Sequence, residues 1–253
     1  KRKLMSEINF CNFPVDSLTM AETIELIYKA IIEKRAIHHV VINAAKVVNA
    51  QKDEALKASI VSCDIINADG QAIVWASRFL NRALPERVAG IDLMENLVKL
   101  AAEKKYRSFF LGAKEEVVKK VVQVYSEKYH TDIIAGYRNG YFSKEEEETV
   151  AREIAASGAA ILFVAMSSPK KEIFLNTYKH LIQTPFIMGV GGSFDVVSGL
   201  VKRAPLWMQK SGLEWFYRVI QEPGRMWKRY LFGNSEFIWL VIKEKAKQIS
   251  KTK

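Results

Sequence analysis

Short apolar runs alternate with longer amphipathic stretches along most of the chain. That alternation predicts an α/β fold, with a mostly parallel, Rossmann-like sheet flanked by helices. Thr19 to Lys34 reads as a helix: Ile24, Ile27 and Ile31 share one face, and Thr19 with Glu22 forms a capping box. His38–Asn43 reads as a buried strand, Ala44–Ser59 as a helix, and Ile60–Asn67 as the next strand, which ends in Ala68-Asp69-Gly70. Helices follow over Gln71–Leu80 and Asp92–Lys104. Ser108–Leu111 is a strand, Glu115–Tyr129 a helix, Ile133–Tyr137 a short strand and Lys144–Ser157 a charged helix. Ala160–Ala165 is a wholly apolar strand. A helix begins at Ser168-Pro169, and Phe186–Val190 is the last strand. In an open parallel sheet, ligands bind beyond the carboxyl ends of the strands. The polar and glycine positions that follow the strands are Asn43, Asp69, Gly112, Ser167-Ser168 and Gly191-Gly192, and they are expected to meet in one crevice.

After Gly199 the pattern changes. Residues 200–253 hold twelve Lys/Arg against four Glu, an excess of +8 within a formal net charge of +10, and four of the five tryptophans. The chain therefore divides into an α/β core, 1–199, and a basic, Trp-rich helical appendage, 200–253. Interleaved cations and tryptophans suit a surface that meets phosphate and acyl chains together. The FIWLVI run at 237–242, followed by Lys243, Lys245 and Lys247, fits either an interfacial helix or a packed terminal helix. No apolar run approaches the roughly 18 residues of a membrane span, and no signal-like apolar segment follows Lys1-Arg2-Lys3, so membrane contact is expected to be peripheral. Two distant cysteines, Cys11 and Cys63, make neither a disulfide scaffold nor a zinc site and fit a reducing cytoplasm.

The basic balance asks for an anionic partner. A nucleic-acid binder is one class, but no helix-turn-helix, RNA-recognition or zinc signature occurs, and a large strand-end crevice would then have no purpose. A nicotinamide oxidoreductase is another, but Gly189-x-Gly191-Gly192 lacks the third glycine of a dinucleotide fingerprint. Taken alone, Asp69 reads as the cap of the helix starting near Gln71, Asn43 as a turn or cap residue, and Arg87 as a solvated loop arginine.

Nine strings in fixed order change that balance: ADG (68–70), RVAGIDL (87–93), FFLGA (109–113), GYF (140–142), SPKKEIF (168–174), GVGGSFDVVSG (189–199), KRAP (202–205), GLEWFYR (212–218) and EPGR (222–225). Together they resemble the WecG/TagA/CpsF family of bacterial glycosyltransferases, from about residue 8 to 240. The resemblance implies an inverting, metal-independent enzyme without a cofactor, peripheral on the inner face of the cell membrane. It would move a sugar, usually N-acetylmannosamine or its uronic acid, from a UDP donor to undecaprenyl-diphosphate-linked GlcNAc for cell-surface polysaccharide. The implied partners are the UDP-sugar, the polyprenyl-diphosphate-linked acceptor and an anionic membrane surface, without nucleic acid. A homo-oligomer stays open.

The same resemblance implies roles for single residues. Asp69 becomes the general base, which takes the acceptor's hydroxyl proton. Asn43 becomes a substrate contact and Arg87 a clamp on diphosphate. Lys171 stands where the family carries Gln, in SSPKKE at 167–172, and is expected to bind phosphate as a point charge. Val41 stands where the family carries Thr. These two departures leave other donors open, such as UDP-glucose. Gly191 and Gly192 are expected to let the backbone approach the nucleotide, and Asp195 is a second candidate base. Arg203, Arg218, Arg225 and Arg229 of the appendage are expected to complete the active site and stabilise the departing UDP.

Overall fold

The computed structural model describes residues 7–221 and 223–251, and for residues 210, 225–232 and 251 it describes the backbone alone. The chain opens with a hairpin, β1 (Glu7–Phe10) and β2 (Phe13–Asp16), joined by Cys11-Asn12. Both turn residues have positive φ, 49° and 68°, the geometry that lets a two-residue loop follow the strands' twist. The apolar pattern gave no sign of this hairpin. Then come α1 (Met20–Ile32), β3 (Ile37–Ile42), α2 (Ala44–Lys52), α3 (Glu54–Val61), β4 (Ile65–Ala68) and α4 (Gln71–Phe79). The capping box at Thr19 and Glu22 is present.

Two sequence expectations change here. The single helix expected over 44–59 is two, because the Asp53 backbone is extended and its carboxylate caps α3 through Leu56 N at 2.9 Å. The strand expected from Ile60 begins only at Ile65: Ile60 and Val61 complete α3, where Ile60 is fully buried. An apolar run is equally good as the buried face of a helix end, and periodicity could not separate the two.

The remaining elements are α5 (Gly90–Lys104), β5 (Ser108–Gly112), α6 (Glu115–Tyr129), β6 (Ile134–Arg138), α7 (Glu147–Ala156), β7 (Ile161–Ala165), α8 (Lys170–Ile182), β8 (Phe186–Gly189), α9 (Ser193–Val197), α10 (Leu206–Lys210), α11 (Glu214–Gln221) and α12 (Pro223–Lys251). Six strands form one parallel sheet in the order β4-β3-β8-β7-β5-β6. β3, β4, β5, β7 and β8 are buried on both faces, as in a parallel sheet covered by helices, while the edge strand β6 is only half-buried. Phe110, Ile161 and Phe163 face α5, α6 and α9, whereas Phe109, Leu111, Leu162 and Val164 face α7 and α8. Val40, Ile42, Ile66 and Ala68 pack against α2, α3 and α4 on that second face.

This layering positions the site. After β3, β8, β7, β5 and β6 the next helix goes alternately to one face and the other. Diverging connections leave a groove along the carboxyl edge of the sheet.

The terminal helix is anchored beside the β4 end of that edge. Phe237 and Val241 are buried in the core cluster of the hairpin, α2 and α3, with the Phe237 ring 6.1 Å from that of Phe10. Lys52–Glu236 and Arg82–Glu244, each at 2.6 Å, hold it further. The packed reading of the FIWLVI run holds for one face: Phe237 and Val241 pack inward, while Ile238, Trp239 and Ile242 stay exposed.

Candidate active site

Asp69 follows β4 directly, and its backbone N–H donates to Ile42 O at 2.8 Å, which pins it beside the end of β3. Gly70 is the N-cap of α4, with φ of 130°, and no side chain caps that helix. The Asp69 carboxylate is thus not spent as a cap and makes no side-chain hydrogen bond to the other described residues. It is partly exposed at the groove but lies deep enough that loss of water dominates its titration. Burial pushes its carboxyl above the usual range, Arg87 and then Arg218 pull it down, and Glu214 opposes them. Gly90 leaves room beside it: a Cβ there would lie 3.8 Å from Asp69 Oδ2 and 3.6 Å from Val41 Cγ2.

Asn43 sits at the next strand end. Its Oδ1 accepts from Lys46 N at 3.0 Å and caps α2, and its Cβ lies 3.7 Å from the place a Gly70 side chain would take. The cap reading of Asn43 is therefore real, and it holds the residue one strand away from Asp69.

Carboxylates of α5 and the appendage engage Arg87, whose charge reaches Asp69, and Arg203. Arg87 Nη1 pairs with Glu214 Oε2 at 2.9 Å, both mostly buried. Arg203 grips Asp92 at the start of α5 with two bonds, 2.7 and 2.8 Å, and its Nε lies 3.9 Å from Glu214 Oε1. Arg218 is one helical turn beyond Glu214 on α11 and is exposed. Gly212, with φ of 73°, brings the chain onto α4 so closely that a Cβ would meet Gln71 Cβ at 2.8 Å. The appendage thus packs against the start of α4, which follows Asp69. Sequence reasoning missed Glu214 and Asp92, which set where Arg87 and Arg203 sit. They lay inside GLEWFYR and RVAGIDL, with no local pattern tying them to partners over a hundred residues away.

Lys171 has a different setting from that expected of a phosphate contact. It is buried, its stem runs over Gly189, where a Cβ would meet its Cε at 2.4 Å, and its ammonium lies 3.2 Å from Glu172 Oε1. Lys46 Nζ meets the same oxygen at 2.9 Å and also donates to Val41 O. Burial and then the Lys46 charge bring Lys171 down to about 8, against the pull of Glu172. Burial alone would raise Glu172, but Lys46 and Lys171 reverse this and hold it at about 2. Two ammoniums share one buried carboxylate just behind the groove wall. Between about 8 and the ordinary lysine value of 10.5, the unfolded chain holds more protons at Lys171, so stability rises with pH across that window. Lys171→Gln is expected to raise the melting temperature at neutral pH and to flatten that rise, as read by thermal denaturation from pH 7 to 10.

The other candidates are placed as follows. Gly191, with φ of 54°, and Gly192 form the turn after β8, and Asp195 lies in the first turn of α9, partly buried. No described contact brings Asp195 to Asp69. The side chains of Arg225 and Arg229 lie outside the described residues. His38 and His39 are buried within β3, brought by burial to about 3 and about 4, so neither is poised as a base. No group of three or more His, Cys, Asp or Glu that could hold a metal occurs among the described residues.

The sequence matches the family described as the glycosyl transferase WecG/TagA/CpsF family over residues 8–251. It is 41% identical over 199 residues to an N-acetylglucosaminyldiphosphoundecaprenol N-acetyl-beta-D-mannosaminyltransferase of Bacillus subtilis (strain 168), covering 79% of this chain and 77% of that one. A protein of the same name from Bacillus spizizenii (strain ATCC 23059 / NRRL B-14472 / W23) is 39% identical over 182 residues, covering 72% and 70%.

Proposed function

The chain belongs to the WecG/TagA/CpsF family of glycosyltransferases, and on that premise we propose that it transfers N-acetylmannosamine from UDP to the GlcNAc of an undecaprenyl-diphosphate-linked acceptor, with inversion. The names of its relatives supply the sugar and the acceptor. One observation carries the reading to this chain: an uncapped carboxylate at a strand's carboxyl end, enclosed by arginines of the core and the appendage. Asp69 takes the proton of the acceptor hydroxyl as its oxygen bonds to the anomeric carbon and the bond to UDP breaks on the opposite face. UDP leaves with the bonding electrons. Arg87 and Arg218, whose charges reach Asp69, offset that charge, with Arg203, Arg225 and Arg229 as further candidates. A diphosphate reaching Arg87 has to share it with Glu214 or displace it. Asn43 and the Gly191-Gly192 turn line the path of the donor, and Lys171 supports the groove wall from behind, paired with Glu172. Asp195 remains the second candidate base.

The test is UDP release from UDP-N-acetylmannosamine in the presence of a GlcNAc-diphosphate-lipid analogue. Release no faster with the acceptor than without it, for this donor and its uronate alike, would overturn the reading.

We assign residues 200–253 a second role, at the membrane surface where such an acceptor resides. No helix among the described residues is long and apolar enough to cross a membrane. Leu206, Trp207, Phe216, Ile220 and Trp239 are nevertheless exposed, amid the basic residues of the appendage. Binding to anionic liposomes is expected to weaken between low and high salt, since screening shortens the reach of exposed charge. Sedimentation that ignores both salt and lipid charge would exclude an electrostatic contribution.

A further inference from the structure

Lys46 reaches the strand end on which Asp69 hangs. Asn43 Oδ1 accepts from the backbone N–H of Lys46 at 3.0 Å, which fixes the root of the side chain in the first turn of α2. Side chains of a helix lean towards its N-terminus, and this one returns over the end of β3. Its Nζ donates to Val41 O at 2.9 Å and meets Glu172 Oε1, at the start of α8, at 2.9 Å. The pair is well shielded, with the Lys46 side chain 10% exposed and that of Glu172 3%.

The sheet splits at that place. Carbonyls along a strand point alternately to its two neighbours. Ile42 O faces β4 and accepts from Asp69 N at 2.8 Å. Val41 O, one residue earlier, faces β8, but the ladder between β3 and β8 ends at His39 and Met188. Beyond that pair the strands part, since α2 leaves β3 for one face of the sheet and α9 leaves β8 for the other. A buried carbonyl in such a gap needs a donor, and Lys46 is that donor. Glu172 holds the ammonium from across the split, with Lys171 on the same oxygen at 3.2 Å.

Charge at this point also bears on the carboxylate. The charged groups that act on Asp69 are Arg87 of the loop before α5, Arg218 and Glu214 of α11, and Lys46. Around Lys46 stand Glu172 and Lys171 of α8, His38 and His39 of β3, and Cys63 ahead of β4; Lys179 and Asp64 act on the same cluster. Burial keeps both histidines and the thiol neutral near pH 7. Resting on the reading of Asp69 as base, we infer that Lys46 is a positioning residue for the transfer step: it closes the split between β3 and β8, holds the strand end to which Asp69 is pinned, and sets a positive charge near the base.

Lys46→Met keeps the length of the side chain and removes both donor and charge. Lys171 still pairs with Glu172, so the fold is expected to persist. In UDP release by the full chain, kcat should fall by about tenfold to a hundredfold, with the Kd for UDP unchanged. Lys46 pulls the Asp69 carboxyl down, so its loss should also move the acid limb of the pH profile to higher pH. Lys46→Arg, which keeps a charged donor, should restore the limb and most of the rate. Lys46→Gln, a neutral donor, should show the same shift of the limb if the methionine variant does not fold. A folded variant with the parent's kcat and acid limb would overturn the inference. So would one whose kcat falls with the limb unmoved, which would mark Lys46 as structural only. Both results leave the base assignment to its own test at Asp69, whereas a parent whose UDP release ignores the acceptor fails the functional reading itself.

Discussion

Asp69→Asn is expected to abolish transfer while UDP binding and the fold persist. Asparagine has the same shape and cannot take a proton. A positioned base contributes about 10²–10⁴ in rate, so kcat should fall into that range with little change in the Kd for UDP. The titration of Asp69 adds a second signature. Burial raises its carboxyl above the usual range, against the pull of Arg87 and Arg218, and a base works only when deprotonated. Activity should therefore fall as pH drops through a value higher than that of an ordinary aspartate, and the variant's residual rate should lack that limb. Stability runs the other way. Where the folded carboxyl binds a proton more tightly than the unfolded one, the folded state loses stability as pH rises through the gap. Asparagine removes that cost, so the variant should melt no lower than the parent at neutral pH. Unchanged kcat, or a collapse in melting temperature, would each refute the assignment.

Much of this was legible in the sequence, and the exceptions share a cause. The helix Glu115–Tyr129 and the Thr19 capping box follow from local pattern, and the structure has both with those bounds and partners. Elements failed where a local rule was ambiguous. Ile60 and Val61 suited a strand or a buried helix end, and Cys11-Asn12 lacks the glycine that usually marks such a tight hairpin. At the site, Asp69 reads from its spacing alone as a helix cap, and only the resemblance makes it the candidate base. Its electrostatic surroundings could not be found that way. The ties Arg87–Glu214 and Arg203–Asp92 close over spans of more than a hundred residues, and the burial of Lys171 depends on α2 packing beside α8. Side-chain type and spacing do not report whether a cation faces ligand or a carboxylate behind the wall.

Arg218→Ala separates an active lid from a mere membrane foot. Arg87 and Arg203 are already engaged by Glu214 and Asp92, whereas Arg218 meets no carboxylate among the described residues. It stands one turn from Glu214, and its charge reaches Asp69. If it offsets the charge on the departing UDP, its loss should cost about 10²–10³ in kcat. The same loss removes one of the pulls that lower the Asp69 carboxyl, so the acid limb of the pH profile should move to higher pH. A residue that only touched lipid would change neither quantity in a detergent assay with a short-chain acceptor. Arg218 is exposed, so the melting temperature should hold. Cutting the chain near residue 200 is a poorer test, because it would strip Phe237 and Val241 from the core and uncover Phe10. Arg218→Lys keeps the charge without the planar fork and should recover part of the rate. A kcat within about twofold of the parent, with the acid limb unmoved, would place Arg218 outside the chemistry and leave Asp69 to work with Arg87.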